Sequence, residues 1–252
     1  MSGNNRIVQR LRVHLIAGPT GVGKSATATE LARATGAPVV VADRLQCFTD
    51  IATTSARAGA EDPGVERHWL GDRTVADGDL SAAEATDALV KTVQRLGMDH
   101  SFVIVEGGSI SLLRLFAARL PELGWELTVQ LLAIPPIGEY VAALTRRART
   151  MLAPSVSTDR SLLDELATLW QDPGQRYFVA SVNGFEAVLE CCAKYSIDVH
   201  TVHRKEISSH VMERFASLIG ERHAEHGVLQ HRVFAEIFEK DPADLAILRS
   251  AA

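Results

Sequence analysis

The sequence predicts an α/β fold, with a parallel sheet flanked by helices and a mostly helical C-terminal half that caps the site. Short apolar segments alternate with longer helical patterns through the first half of the chain, which is typical of βαβ units. A glycine-rich loop lies between the first strand and the first helix, as in P-loop NTPase-like proteins. Because strand patterns stop near residue 153, we expect an α/β core over residues 1–153 and a helical part over residues 154–252, which can also form one continuous domain.

Four segments are predicted to be strands because they are short, largely apolar and rich in branched side chains. They are Val13–Ala17, Pro38–Ala42, Phe102–Val105 and Leu127–Ala133. The helices predicted in the core are Lys24–Thr35, Ser81–Leu96, Ile110–Arg119 and Ile137–Met151, and those in the C-terminal part are Ser161–Trp170, Tyr177–Tyr195, Ile207–His226 and Val233–Glu239. Parallel sheets bind ligands beyond the carboxyl ends of their strands, so we expect the site directly after the first three strands.

The loop after the first strand, Gly18–Ser25, fits the phosphate-binding pattern G-x-x-x-x-G-K-[ST]. Its glycines, Gly18, Gly21 and Gly23, let the backbone turn its N–H groups toward an anion, and the next helix adds its positive dipole end. Lys24 can bring a full charge to a phosphate oxygen, and the Ser25 hydroxyl can ligate Mg²⁺ together with water and phosphate oxygens. The loop therefore predicts a polyphosphate ligand without identifying it.

Acidic residues follow the next two strands. Asp43 comes after the second strand, where its carboxylate can point into the cleft or can cap a turn. Glu106 ends the third strand and is followed by Gly107, Gly108 and Ser109. The glycines indicate a close approach of backbone to ligand, and Ser109 is expected to cap the next helix. Glu106 can act on Mg²⁺ through water, or it can be a partner of Lys24.

Three further groups are candidates for contacts with substrate. The loop Thr53–Arg57 has hydroxyls and an arginine that suit a phosphate or ribose, although a solvated loop is an equal alternative. Arg146 and Arg147 lie on a late helix and can either clamp a phosphate or form a solvated basic face. His223 and His226 share one helix face, but no third ligand stands at a persuasive spacing, so we expect substrate contact or a surface pair rather than a metal site.

The composition argues against several classes of protein. The net charge is −5 and no basic stripe is present, which disfavours a nucleic-acid partner. No stretch reaches the roughly 20 apolar residues of a membrane span, and the apolar run after Arg12 is too short for a signal sequence. Neither a disulfide framework nor a zinc spacing is formed by Cys47, Cys191 and Cys192, so we expect reduced thiols and a cytoplasmic location. No obligate protein partner is evident.

Two enzymatic reactions fit these residues almost equally. In a small-metabolite kinase, Asp43 would accept a hydroxyl proton while the γ-phosphoryl group moves. In an alkyl transfer, the loop would instead hold the diphosphate of an allylic donor as the leaving group. A nucleotide-binding module without catalysis is a third interpretation.

Several strings resemble those of the isopentenyltransferases. Gly18–Ser25 is similar to their GPT-x-x-GK-[ST] loop, and Asp43–Cys47 followed by Ile51–Arg57 resembles the DR-x-Q-x…IAT-x-S-x-R stretch of the bacterial adenylate dimethylallyltransferases, the cytokinin synthases. Glu106–Leu113 matches their EGGSISLL run in full, and Ser161–Trp170 resembles a further helix of that family. The resemblance covers roughly Val13 to His226, and its motifs agree in order and spacing.

The resemblance implies transfer of a dimethylallyl group from dimethylallyl diphosphate to N6 of AMP, ADP or ATP, the first step of cytokinin synthesis. Asp43 would be the general base, since a carboxylate bonded to N6–H makes the amine more nucleophilic and takes its proton. Thr20 would lie between the substrates, and Lys24 with Mg²⁺ would stabilise the departing diphosphate. The diphosphate-binding residues implied are Gly18, Gly21, Gly23, Lys24, Ser25, Arg146, Arg147, His223 and His226, and those for the acceptor are Asp43, Thr53, Ser55, Arg57, Gly108 and Ser109.

Departures from the family pattern bear on the substrates. His223 stands where relatives carry Tyr, and Asn183 stands where they carry Asp. Asn183 and His226 would keep the prenyl pocket polar enough for a hydroxylated donor as well as the plain one. The tRNA-modifying relatives carry an extra helical insertion, for which this chain has no spare length. We therefore expect a free nucleotide acceptor, with tRNA as the alternative.

Overall fold

The structure, a computed structural model, describes residues 10–57, 62–154, 160–204 and 206–238. Its sheet has five parallel strands in the order β3-β2-β4-β1-β5, as the sequence predicted for the fold class. The strands are β1 Arg12–Ala17, β2 Val39–Val41, β3 Arg67–Trp69, β4 Phe102–Gly107 and β5 Glu126–Leu131. Strand β3 was not predicted, because this edge strand has only three residues, Arg-His-Trp, without an apolar pattern.

Eight α-helices occur in the described part of the chain. They are α1 Lys24–Thr35, α2 Ala82–Leu96, α3 Ile110–Leu123, α4 Ile137–Leu152, α5 Leu162–Leu169, α6 Arg176–Ser181, α7 Phe185–Lys194 and α8 Ser209–Phe238. Ser81 and Ser161 stand just before α2 and α5 as the N-caps of capping boxes, which explains where these helices begin. None of the described helices combines the length and the apolar character that crossing a membrane requires.

Two helix predictions in the C-terminal half were wrong. The single helix predicted over Tyr177–Tyr195 is interrupted between α6 and α7, where Gly184 has a φ of 100° that a helix cannot contain. Conversely, the break predicted after His226 does not occur, because α8, which is 30 residues long, continues through Gly227 to Phe238. The predicted end of that segment, Glu239, lies outside the described residues.

Glycines let α8 pack unusually close to α4. A Cβ atom added at Gly220 would lie 2.3 Å from Thr145 Oγ1, and one added at Gly227 would lie 2.1 Å from Tyr140 Oη. Gly220 and Gly227 are seven residues apart, which places them on the same face of α8 two turns from each other. Gly227 is therefore needed for the packing of α8 against α4.

Replacing Gly227 by Ala is expected to lower the free energy of unfolding by about 1–3 kcal/mol or more, because the new methyl group has no space beside Tyr140. Gly138 is the matched control, since it also lies in a helix but a Cβ there meets nothing within 4 Å. Gly138→Ala should gain up to about 1 kcal/mol from helix propensity. Denaturant unfolding measures both changes, and equal stability of the two variants would contradict the close packing.

Hydrophobic residues cover both faces of the sheet. Val13 and Leu15 from β1 belong to the main core cluster, which also contains Phe185 and Phe215 of the C-terminal helices. On the opposite face, Ile16 packs with residues of α1 in a smaller cluster. This packing fixes the carboxyl ends of β1, β2 and β4 side by side at one edge.

Candidate active site

A cavity of about 460 Å³ opens at this edge of the sheet. It lies after β1, β2 and β4, where the sequence predicted ligand binding. The predicted site residues that line it are Thr20, Gly21, Gly23, Lys24, Ser25, Asp43, Ser55, Gly108, Arg147, Asn183, His223 and His226. Residues from both halves of the chain therefore surround one space.

Five predicted site residues, all in the described ranges, lie outside the cavity lining. Gly18 packs its backbone against Leu132, and Ser109 begins α3 without the side-chain cap that was expected. Thr53 turns away, since its hydroxyl donates a hydrogen bond to the Arg160 carbonyl at 2.6 Å. Arg57 and Arg146 also lie elsewhere.

Arg57 and Arg146 lie outside the cavity lining for separate reasons. Arg57 donates to the carbonyls of Gln46 (2.8 Å) and Gly71 (3.2 Å), and its guanidinium lies 4.7 Å from the centre of the Trp69 ring. It therefore braces loops behind the cavity. Arg146 is exposed, whereas Arg147 is half-buried and reaches the cavity. The helical phase of α4 thus separates the two neighbouring candidates.

Lys24 carries a perturbed charge at the floor of the cavity. Its Nζ donates to the Pro19 carbonyl at 2.6 Å. Burial lowers the pKa of Lys24 to about 8, although Asp43 and Glu106 attract the proton. Nearby Arg147 adds to the lowering by repulsion. A bound anion would compensate this unfavourable burial and would favour the protonated lysine.

Glu106 contacts Ser25 and Arg67. It forms a buried ion pair with Arg67, and the Ser25 hydroxyl donates to its Oε2 at 2.9 Å. Its effect on Lys24 is one of charge. Because the Ser25 hydroxyl donates its hydrogen bond to Glu106, the lone pairs of the serine oxygen remain free for another ligand. The sequence analysis missed Arg67 because it missed β3.

These oxygens fit Mg²⁺, which prefers oxygen ligands and usually keeps several waters. The Ser25 hydroxyl offers a direct ligand, and the hydrogen bond to Glu106 orients it. Within the described ranges, no group of three His, Cys, Asp or Glu residues could hold a metal. The donor set therefore suits an ion that arrives with a phosphate ligand rather than one held by protein alone.

Asp43 both caps a turn and lines the cavity. Its Oδ1 accepts hydrogen bonds from the backbone N–H groups of Leu45 (2.9 Å) and Gln46 (3.4 Å). Among the residues that the structure describes, its Oδ2 accepts none. The two alternatives weighed for Asp43 thus coexist, because one oxygen fixes the carboxylate and leaves the other available to a ligand.

The two histidines on α8 are neutral near pH 7. Burial, with added repulsion from Arg147, lowers the pKa of His223 to about 4. Burial also lowers the pKa of His226, although Asp43 attracts its proton. Both rings line the cavity with Asn183, where they can exchange neutral hydrogen bonds with a ligand.

The sequence analysis also missed Glu165, a buried carboxylate on α5 that holds the loop before Ser55. Glu165 accepts from the N–H groups of Thr53 (2.8 Å) and Thr54 (2.9 Å) and from the Thr54 hydroxyl (2.6 Å). Burial raises the pKa of Glu165, while these hydrogen bonds oppose the rise. The carboxylate therefore determines how the loop presents Ser55 and the strained Ala56, whose φ is 59°.

Glu165→Ala is expected to lower the free energy of unfolding by about 2–5 kcal/mol, because two buried N–H groups and a hydroxyl lose their acceptor. Glu186, an exposed carboxylate near the start of α7, provides the control. Glu186→Ala should change stability by less than about 0.5 kcal/mol. Urea unfolding compares the two variants, and equal effects would show that the Glu165 hydrogen bonds contribute little.

Comparisons with known proteins agree with this geometry. The profile of a family described as isopentenyl transferase matches residues 11–243. The chain is 40% identical over 227 residues to the adenylate dimethylallyltransferase of Rhodococcoides fascians, covering 90% of this chain and 89% of the relative. It is 33% identical to the enzyme of the same name from Ralstonia solanacearum, covering 90% of this chain and 95% of the relative.

Solved structures show the same fold. A tRNA Δ(2)-isopentenylpyrophosphate transferase from Staphylococcus epidermidis aligns with a TM-score of 0.65 at 12% identity, over 90% of this chain and 91% of that one. A eukaryotic dimethylallyltransferase acting on tRNA aligns with a TM-score of 0.62 at 14% identity, over 89% of this chain and 70% of that one.

Proposed function

The chain belongs to the isopentenyl transferase family, and we propose that it transfers a dimethylallyl group from dimethylallyl diphosphate to N6 of AMP, ADP or ATP. One observation carries the proposal: a single cavity combines an anion-binding loop with the carboxylate of Asp43. The two sequence relatives described above are named for an adenylate acceptor. The two solved structures described above, which are named for action on tRNA, are only 12–14% identical to this chain and support the fold alone.

On the donor side, the loop would hold the diphosphate. As the bond between the allylic carbon and oxygen breaks, its electron pair goes to the diphosphate. The N–H groups of Gly23, Lys24 and Ser25 at the start of α1, with the side chains of Lys24 and Arg147, can stabilise this growing negative charge. His223 and His226 would add neutral hydrogen bonds.

On the acceptor side, Asp43 would act as the general base. The adenine amine is a poor nucleophile because its lone pair is delocalised into the ring. A carboxylate oxygen that accepts from N6–H raises its nucleophilicity and takes the proton as the new C–N bond forms. Ser55 and Gly108 line the cavity and can contact the nucleotide, whereas Thr53, Arg57 and Ser109 would act only by shaping the walls.

Mg²⁺ belongs to the proposal as a cofactor. Ser25 would be its protein ligand, and the ion would supply electrostatic stabilisation of the leaving group. The chain's own contribution is the Ser25 hydroxyl, oriented by Glu106 and Arg67. The free thiols of Cys47, Cys191 and Cys192 suit a reducing setting, and we propose a cytoplasmic one.

The donor can be the plain or the hydroxylated prenyl diphosphate. Asn183 and His226 line the cavity and offer polar atoms to a terminal hydroxyl. Because these groups are neutral, they need no charged partner, and the plain prenyl chain can also lie beside them.

Affinity for inorganic diphosphate is expected to fall as the pH rises above about 8, because Lys24 then loses the proton that attracts the anion. The ligand itself gains negative charge over this range, so Lys24→Met is needed as the reference. Isothermal titration calorimetry on either side of pH 8 should show proton uptake on binding to the wild type and less uptake by the variant. Equal uptake by both proteins would contradict the assigned role of this lysine.

The assay that tests the function combines the protein with AMP, Mg²⁺ and dimethylallyl diphosphate. The expected result is a nucleotide heavier by one prenyl group at N6, together with free diphosphate. Formation of ADP from ATP and a metabolite, without a prenylated product, would support a kinase instead. Tight nucleotide binding without turnover would support a regulatory module, and prenylation of tRNA alone would move the acceptor to nucleic acid.

A further inference from the structure

Two buried side chains hold the backbone of Thr20 in the phosphate-binding loop. The Thr20 N–H donates to Gln230 Oε1 at 2.8 Å, and the Tyr140 hydroxyl donates to the Thr20 carbonyl at 2.6 Å. Tyr140 is 1% exposed and Gln230 is 5% exposed. Tyr140 lies on α4 and Gln230 lies on α8, so these two helices together fix the backbone N–H and the carbonyl of Thr20.

Gln230 has a second hydrogen-bond partner in the turn after β4. Its Nε2 donates to the Gly108 carbonyl at 2.5 Å, so one amide joins the phosphate-binding loop to the turn after β4. Gly108 has little room to shift, since a Cβ there would lie 3.1 Å from Gln230 Nε2 and 3.3 Å from Lys24 Nζ. Gln230 thus ties the backbone of the phosphate-binding loop to the turn after β4.

This arrangement changes what Thr20 can offer to a ligand. In a phosphate-binding loop, backbone N–H groups usually face the anion. The N–H of Thr20 is instead used by Gln230, which leaves its side-chain hydroxyl as the group available to the cavity. Burial raises the pKa of Tyr140 to about 12, so its hydroxyl keeps its proton over the whole neutral range.

We propose that Gln230 and Tyr140 are positioning residues that aim the Thr20 hydroxyl at the leaving diphosphate of the donor. This inference rests on the proposed prenyl transfer. The hydroxyl donates a hydrogen bond that strengthens as negative charge develops on the leaving oxygen. We call Gln230 and Tyr140, bound to the Thr20 backbone, the clamp. The clamp accelerates the reaction by holding the Thr20 hydroxyl in place.

Gln230→Met removes both amide hydrogen bonds at similar volume, and Tyr140→Phe removes only the hydroxyl. Each is expected to lower kcat by about 10–100-fold, a loss typical of a small misplacement, with less change in the Kd for inorganic diphosphate. Gln94→Met and Tyr177→Phe are matched controls on exposed positions and should leave kcat unchanged.

A second background separates positioning from general stability. In Thr20→Val, which lacks the hydroxyl, adding Tyr140→Phe should cause little further loss of kcat, whereas in Thr20→Ser it should act as in the wild type. Equal losses in the Val and wild-type backgrounds would overturn the proposal, as would kcat values within twofold of wild type for both clamp variants.

Amide hydrogen exchange provides a readout that needs no turnover. Gln230→Met should accelerate exchange of the Thr20 amide, while the Gln94→Met control should not. Unchanged exchange would overturn the clamp even if prenyl transfer is found. Faster exchange in a protein without prenyl transfer would support the clamp and refute its assigned role in that reaction. If Gln230→Met fails to fold, Tyr140→Phe, which leaves the ring packed beside Gly227, keeps the kinetic test available.

Discussion

Asp43→Asn is expected to lower kcat by about 10²–10⁴-fold, the usual contribution of a positioned general base. The variant separates catalysis from structure, because Asn keeps an oxygen that can still accept a hydrogen bond from the Leu45 N–H and so preserves the turn. What it loses is the capacity to take the N6 proton. Steady-state kinetics with saturating substrates measure the effect, and binding of inorganic diphosphate should change little.

Asp99→Asn is the control for this substitution, since Asp99 is exposed and lies outside the cavity lining. It should retain wild-type kcat. Full activity in Asp43→Asn would mean that another group, or solvent, removes the proton. A loss accompanied by unfolding would instead assign the carboxylate a structural role only.

Lys24→Met is expected to reduce kcat/KM by about 10²–10³-fold, because a preorganised charge on a leaving group contributes several kcal/mol to the transition state. The same change should preserve or raise the free energy of unfolding at pH 7. Burial lowers the pKa of Lys24 to about 8, which means that the folded protein disfavours its charge. Activity and stability are thus expected to move in opposite directions, as at many functional sites.

The free energy of unfolding is also expected to depend on pH through Lys24. Between about pH 8 and 10.5, the ordinary pKa of a lysine, the unfolded chain keeps the Lys24 proton and the folded chain has lost it. Stability contributed by this residue therefore rises with pH across that window. Lys24→Met should remove the rise, whereas the exposed Lys91→Met should not. A destabilised Lys24→Met variant would contradict this account.

Local signals predicted the parts of the fold that lie close together in sequence. The apolar strand β1, the glycine loop and α1 follow one another, and the predicted helix Lys24–Thr35 has the bounds of α1. Capping serines placed the starts of α2 and α5 within one residue. In each case, the backbone conformation is determined by neighbours in the chain.

The features that local sequence patterns did not predict depend on long-range packing. Strand β3 exists because it pairs with β2, and its Arg67 reaches Glu106 from there. Helix α8 continues through Gly227 because Tyr140 fills the space beside it. The choice between Arg146 and Arg147 depends on helical phase against partners that no local pattern reveals. Gln230 and Glu165 were missed for the same reason, as their partners lie more than 100 residues away.

The central claim is that the phosphate-binding loop holds the diphosphate of the prenyl donor, while the nucleotide lies across the cavity as acceptor. Inhibition by inorganic diphosphate tests it most directly, when measured against each substrate in turn. The account predicts competition with dimethylallyl diphosphate and no competition with AMP. Competition with AMP alone would place the nucleotide's phosphate on the loop and contradict the account.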